Sequence, residues 1–219
     1  MNSKCPQTYA EVLDTLFTNY PELRSCETEV RAAAELVLGS FREGGKLMVC
    51  GNGGSAADSE HVVGELMKSF RFKRPVGPVF AEAYRKANGV DVPSWLEGAL
   101  PAISLVSQTA LSTAFSNDEA AVGDFAQKVY GYGEQGDVLL AISTSGSSAN
   151  VVEAAKVARA KGVRVVSLTG SRESALTMLS DVCVRVPRDE VFRVQELHLP
   201  VYHALCAAVE AELFGGVNE

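Results

Sequence analysis

Only three histidines and no CxxC pair occur in this chain of 219 residues, and each scarcity narrows what it can do. Imidazole chemistry is restricted to His61, His198 and His203. The five cysteines (Cys5, Cys26, Cys50, Cys183 and Cys206) are scattered and odd in number, which argues against a zinc-finger framework and fits a reducing compartment. No apolar run approaches the ~20 residues of a membrane span, and the opening stretch MNSKCPQTYAEVLDTLF lacks the apolar core of a signal peptide. A cytoplasmic location without membrane contact is expected. Excess positive charge is missing as well: a formal charge of −7 gives no general attraction for nucleic acid, which is not expected as a partner. The one cationic run, KSFRFKRP from Lys68 to Pro75, reads as a solvated helix end. No solenoid repeat and no low-complexity tract is present.

What is present is a composition of 47% hydrophobic and 21% charged residues, ordinary for a globular protein, and a clear alternation of patterns. Helical spacing of apolar residues predicts helices over 9–19 and 27–41, then over 55–69, 147–161, 174–179 and 191–214, with another following Asn117 in DEAAVGDFAQKVYGYG. Short apolar runs bounded by glycine or proline predict strands over 46–50, 100–106, 137–143, 163–170 and 182–187. Strands without a polar face that alternate with helices indicate a parallel sheet covered on both sides. The expectation is one doubly wound α/β domain over residues 1–219. Residues 1–44 form a helical extension packing on the core or on a neighbouring subunit. Residues 76–98, with their prolines, two short helix-like pieces and the single Trp95, are too short to bury a core and form an excursion from it.

Two strand-to-helix junctions carry unusual chemistry. In an open parallel sheet, ligands bind beyond the carboxyl ends of the strands. VCGNGGSAADSEH follows the first strand and AISTSGSSANV a later one. Glycines allow close backbone approach, hydroxyls add donors, and a helix N-terminus supplies a partial positive charge, so each junction suits a phosphate. A plain N-cap accounts for Ser147 or Ser55 alone; it does not account for Ser143, Thr144, Ser145 and Ser148 together. GNGGSA also fits a dinucleotide fingerprint, but the acidic residue expected about 20 positions on is replaced by the cationic run. A Walker A loop is excluded by the lack of Gly-Lys-Ser/Thr. No nucleotide cofactor is expected.

His61 and Glu65 stand four apart, hence on one face of the helix that leaves the first junction. Gln195 and His203 stand eight apart on the last helix. Brought together across a cleft, Glu65 and His203 form an acid/base pair, and His61, Glu65, Gln195 and His203 form a donor set for one divalent ion. The competing readings are a surface pair for His61–Glu65 and a core histidine for His203. His198, on the far side of its helix from His203, reads as structural or interfacial.

These residues resemble a known group, the sugar-isomerase (SIS) domain proteins, and among them the phosphoheptose (sedoheptulose 7-phosphate) isomerases. CGNGGSAADSEHVVGEL, SND at 116–118, GDVLLAISTSGSSANVVEAAKVARAKG, VSLTG and RVQELHLPVYH carry the resemblance over most of the chain. It implies a five-stranded parallel sheet in a flavodoxin-like three-layer sandwich, and a homotetramer with active sites at subunit interfaces. It also implies aldose–ketose isomerisation of a phosphorylated sugar through an enediol, with Glu65 as base and His203 as its partner. Ser55, Ser143, Thr144, Ser145 and Ser148 match the phosphate contacts, with Asn52, Gly53 and Gly54 lining the site and Gln195 beside it. Asn117 and Asp118 match contacts to sugar hydroxyls. His61, Glu65, Gln195 and His203 match positions that bind zinc in some members. The alternative the same family offers is a non-catalytic tetramer, serving as a sugar-phosphate sensor or binding a protein such as a replication initiator. Three departures from the family pattern concern the sugar end of the site: Ser69 replaces a common arginine, Phe192 replaces an aspartate of some members, and 76–98 is about twenty residues longer than in compact members.

Overall fold

A computed structural model describes residues 8–215, so Cys5 lies outside the described residues. Helix α1 (Tyr9–Asn19) opens with a capping box, in which the Thr8 hydroxyl accepts from the Glu11 amide and the Glu11 carboxylate accepts from the Thr8 amide. Pro21 then starts a 3₁₀ turn (Pro21–Cys26) that leads into α2 (Glu27–Arg42). The core follows: β1 (Leu47–Gly51), α3 (Gly54–Met67), α4 (Pro78–Asn88), β2 (Ala102–Ser104), α5 (Thr109–Phe115), α6 (Asp124–Tyr132), β3 (Val138–Ile142), α7 (Ala149–Ala160), β4 (Arg164–Thr169), α8 (Ala175–Leu179), β5 (Val182–Arg185) and α9 (Val191–Phe214).

All five strands are parallel, in the order β2-β1-β3-β4-β5. Alternate residues of β1 and β3 feed opposite layers, as the two-residue period of a strand requires. Leu47, Val49, Leu140 and Ile142 join a core with α1, α2, α3 and α9. Met48, Cys50, Leu139 and Ala141 join a second core with α6, α7 and α8. α9 is buried almost all round and packs against α1, α2 and α3. Among the described residues no helix is long and apolar enough to cross a membrane.

The structure departs from the sequence reading in four places. The second strand is only three residues long: the Leu105 amide still bonds the Val49 carbonyl, but the Leu105 carbonyl accepts from Lys128 Nζ at 2.7 Å. The helix expected after Asn117 is broken: residues 116–123 form irregular turns, Phe115 folds against Gly123, and α5 lies ahead of them, unforeseen. The 76–98 excursion holds one helix, α4, and a turn at Leu96 in place of the second piece. Finally, the cationic run is not wholly solvated, since Arg74 is completely buried.

Candidate functional site

Strand order 2-1-3-4-5 places the topological switch point between β1 and β3. Gly51 and Ile142 are paired at the ends of those strands, so both serine- and glycine-rich junctions leave the sheet side by side. Asn52 and Asn150 bind the two loops together, each side-chain amide donating to the other's oxygen at 2.9 Å. α3 starts after Gly53, whose φ of 57° and ψ of −120° suit a residue without Cβ. Neither α3 nor α7 has a side-chain cap at its N-terminus. The capping explanation of the serines therefore fails. Ser55 lies inside the first turn and is buried. The cap position of α7 is held by Ser148, not Ser147, and the Ser148 hydroxyl meets the Ser143 hydroxyl at 2.9 Å. The Ser55 and Val151 amides are taken by the Asn52 and Ser148 carbonyls; the amides ahead of them at the two N-termini suit an anion.

Thr144, Ser145 and Ser147 form one wall of a cavity of about 300 Å³ whose other wall includes Gly170, Arg172 and Asp189. Gln195 lies against the start of α3: a Cβ on Gly54 would come within 2.4 Å of its amide nitrogen. Asn117 and Asp118 are exposed on the irregular stretch after α5 and hydrogen-bond each other at 2.9 Å.

Further along α3, a second cluster forms. His61 Nε2 is 3.1 Å from Glu65 Oε1 and 3.3 Å from His203 Nε2, and the donor atoms of the three residues lie within 4.8 Å of one another. Glu65 is 14% exposed, against 42% for His61. Burial, reinforced by neighbouring His61 and opposed by Glu65, lowers the His203 pKa below that of a free imidazole. His61 is more than a surface partner of Glu65. Its Nδ1 lies 3.1 Å from the Tyr202 hydroxyl, which donates to Asp58 Oδ1 at 3.2 Å. The Tyr202 oxygen can accept from His61 Nδ1–H, the tautomer that would make Nε2 a metal ligand; with the proton on Nε2 instead, His61 donates to Glu65 Oε1. Burial raises the Asp58 pKa, against the hydrogen bond from Tyr202.

Gln195 does not join this trio within one chain. It touches Gly54, seven residues before His61, which is about 10 Å along the helix. His198 faces away from the trio: it is fully buried, with Nε2 3.2 Å from the Thr169 carbonyl, and burial pushes its pKa down to about 4.

Four contributors were not singled out from sequence. Asp58 stands three residues before His61 on the same helix face, a spacing that could have revealed it. Tyr202 adjoins His203 in sequence but offers no spacing signal. Asn150 follows the serine run without being a hydroxyl. Lys128 is buried where it binds the Leu105 carbonyl, the Ser112 hydroxyl and Asp124, thereby holding the segment that leads to Asn117.

Comparison with known proteins agrees with this fold. Residues 9–98 and 81–170 each match the SIS domain profile. The phosphoheptose isomerase of Akkermansia muciniphila is 34% identical over 90% of this chain and 93% of its own length. That of Rhodospirillum rubrum is 38% identical over 87% and 89%. Among solved structures, the phosphoheptose isomerase of Neisseria gonorrhoeae aligns with a TM-score of 0.66 and 30% identity, covering 90% of this chain and 97% of that one. The Francisella tularensis phosphoheptose isomerase gives 0.70 at 28% identity, with the same coverage.

Proposed function

Because the chain belongs to the SIS domain family, we propose that it is an aldose–ketose isomerase of phosphorylated sugars, acting on a ketoheptose 7-phosphate of the sedoheptulose type. The observation that carries this reading is an uncapped, hydroxyl-rich cradle at the start of α3 together with a carboxylate–imidazole trio further along it, to which α3 gives His61 and Glu65 and α9 gives His203. Interconversion of ketose and aldose moves a proton between C1 and C2 through a cis-enediol and another between their oxygens. Glu65 takes and returns the carbon proton; His203, held neutral by burial, exchanges protons at the oxygens. Ser55, Ser143, Thr144, Ser145 and Ser148 hold the phosphate, with Asn52, Gly53 and Gly54 shaping the loop. Binding energy at that end orients the reacting carbons at the other. Asn117 and Asp118 contact sugar hydroxyls.

The donor set of His61, Glu65 and His203, with His61 oriented by Tyr202, fits zinc. When bound, the ion would polarise the substrate carbonyl. Gln195 reaches such a site only from another copy, since its own chain places it at the cradle. We propose a cytoplasmic homotetramer with sites at subunit interfaces, one subunit's cradle and Gln195 facing a neighbour's trio.

Glu65→Gln keeps the shape of the base and removes its function. The expected result is at least a ~10²-fold loss of kcat on sedoheptulose 7-phosphate, with substrate still raising the melting temperature. Undiminished turnover would remove Glu65 from the chemistry.

A further inference from the structure

We propose that Arg74 and Glu210 are positioning residues: a wholly buried ion pair that sets the spacing between the helix bearing Glu65 and the helix bearing His203. The inference rests on the functional reading above. Both side chains are 0% exposed, and Arg74 Nε donates to Glu210 Oε1 at 2.7 Å. The guanidinium's other two nitrogens donate to the carbonyls of Leu66, at 2.5 Å, and of Glu65 itself, at 2.9 Å. These are among the last carbonyls of α3, which lack partners within the helix. Arg74 is thus the terminal cap of α3, at the residue that serves as the base.

Glu210 completes the link. It stands seven residues after His203 on α9, on the same face two turns on. Its carboxylate accepts from the Phe70 amide at 2.8 Å and the Arg71 amide at 2.7 Å, which fixes the turn leaving α3. The Phe70 ring in turn packs on the His203 ring, with centroids 5.6 Å apart. One ion pair therefore holds the Glu65 backbone, the ring beside His203 and the α9 helix in a single frame. Neither residue belongs to the phosphate cradle, which lies at the opposite end of α3.

A buried ion pair is a poor source of net stability, and hydrophobic replacements of similar volume are often tolerated. What such replacements lose here is the tie to the Glu65 and Leu66 carbonyls and to the Phe70 and Arg71 amides. Misplacing a catalytic group by about 1 Å can cost ~10²-fold in rate.

The test compares wild type, Arg74→Met/Glu210→Leu, Arg74→Lys and Glu65→Gln by thermal unfolding and by kcat and KM for sedoheptulose 7-phosphate. The double variant leaves the Phe70 and Arg71 amides and the Glu65 carbonyl without these partners and is expected to melt below wild type, with KM within about twofold and kcat reduced by roughly 10²-fold. Arg74→Lys, which keeps the charge pair but cannot span both carbonyls, is expected to fall between them. A folded double variant with wild-type kcat, or one that raises KM at unchanged kcat, overturns the proposal. If the double variant does not fold, Arg74→Lys decides on the same two readouts. Inactive Glu65→Gln beside a fully active double variant defeats the strut alone; active Glu65→Gln defeats the functional reading and the strut with it.

Discussion

At the scale of single residues, the chain's two buried or half-buried C-terminal histidines have opposite uses. His203 has Glu65 and His61 for company, and its lowered pKa leaves it unprotonated at neutral pH, able to accept a proton from oxygen and return it. His198 is sealed behind the end of β4 with one nitrogen on the Thr169 carbonyl and Nδ1 without a partner. Its pKa of about 4, against an ordinary 6.5, means that the unfolded chain binds a proton the folded one refuses anywhere between those values. Stability therefore falls as pH drops from about 6.5 to about 4, by about 3 kcal/mol from this group, and levels off below. Urea denaturation of wild type and His198→Gln between pH 7 and pH 4 checks this: the wild type should show the steeper loss, and equal slopes would contradict the assignment.

At the scale of elements, the two junctions act as one because Asn52 and Asn150 join them. Asn150→Ala breaks that tie without touching a proposed phosphate contact. Two exposed hydrogen bonds are worth about 1 kcal/mol each, so we expect a fall of a few degrees in melting temperature and a several-fold higher KM. kcat should be little changed. A kinetic titration with the phosphorylated ketose reads both constants; an unaltered KM would show that the loops hold their shape independently. The strands and most helices could be read in advance because their signals are local: β1 and β3 are apolar throughout, and α7 and α9 have helical spacing over three turns or more. Elements governed by distant partners could not. The far end of β2 is one example, since the Leu105 carbonyl is taken by Lys128, 23 residues later. The run 68–75 looked solvated because the partner of Arg74 lies 136 residues away, in a stretch where Glu210 looks like any surface glutamate of a helix.

At the scale of the whole molecule, the sheet order determines where the cradle is, and two parallel helices determine where the trio is. Gln195 touching Gly54 and His203 touching His61 show that α3 and α9 run side by side in the same direction. The glycine and serine motifs announced the cradle, and the spacing of His61 and Glu65 announced half of the trio. Which end of α9 meets which end of α3 is a packing fact that no spacing contains. It leads to a test of whether the proposed site is shared between subunits. Glu65→Gln lacks the base and Ser145→Ala/Ser148→Ala weakens the cradle. Co-expressed, the two chains should form mixed tetramers containing some intact sites. Activity at low substrate should then exceed that of either parent; sites built within single chains would give no gain. Light scattering should count four chains per particle.

The proposed anion grip at residues 52–55 and 143–148 consists of amides and hydroxyls, and the one cation lining the cavity beside it, Arg172, is already paired with Asp189 at 3.2 Å. Attraction built from fixed dipoles is short in range, so raising sodium chloride should weaken substrate capture far less than it would in a site lined with cations. Free orthophosphate, by contrast, fits the same amides, which makes a phosphate buffer a competitor for the sugar ester and an inert medium of equal ionic strength the proper choice for kinetics.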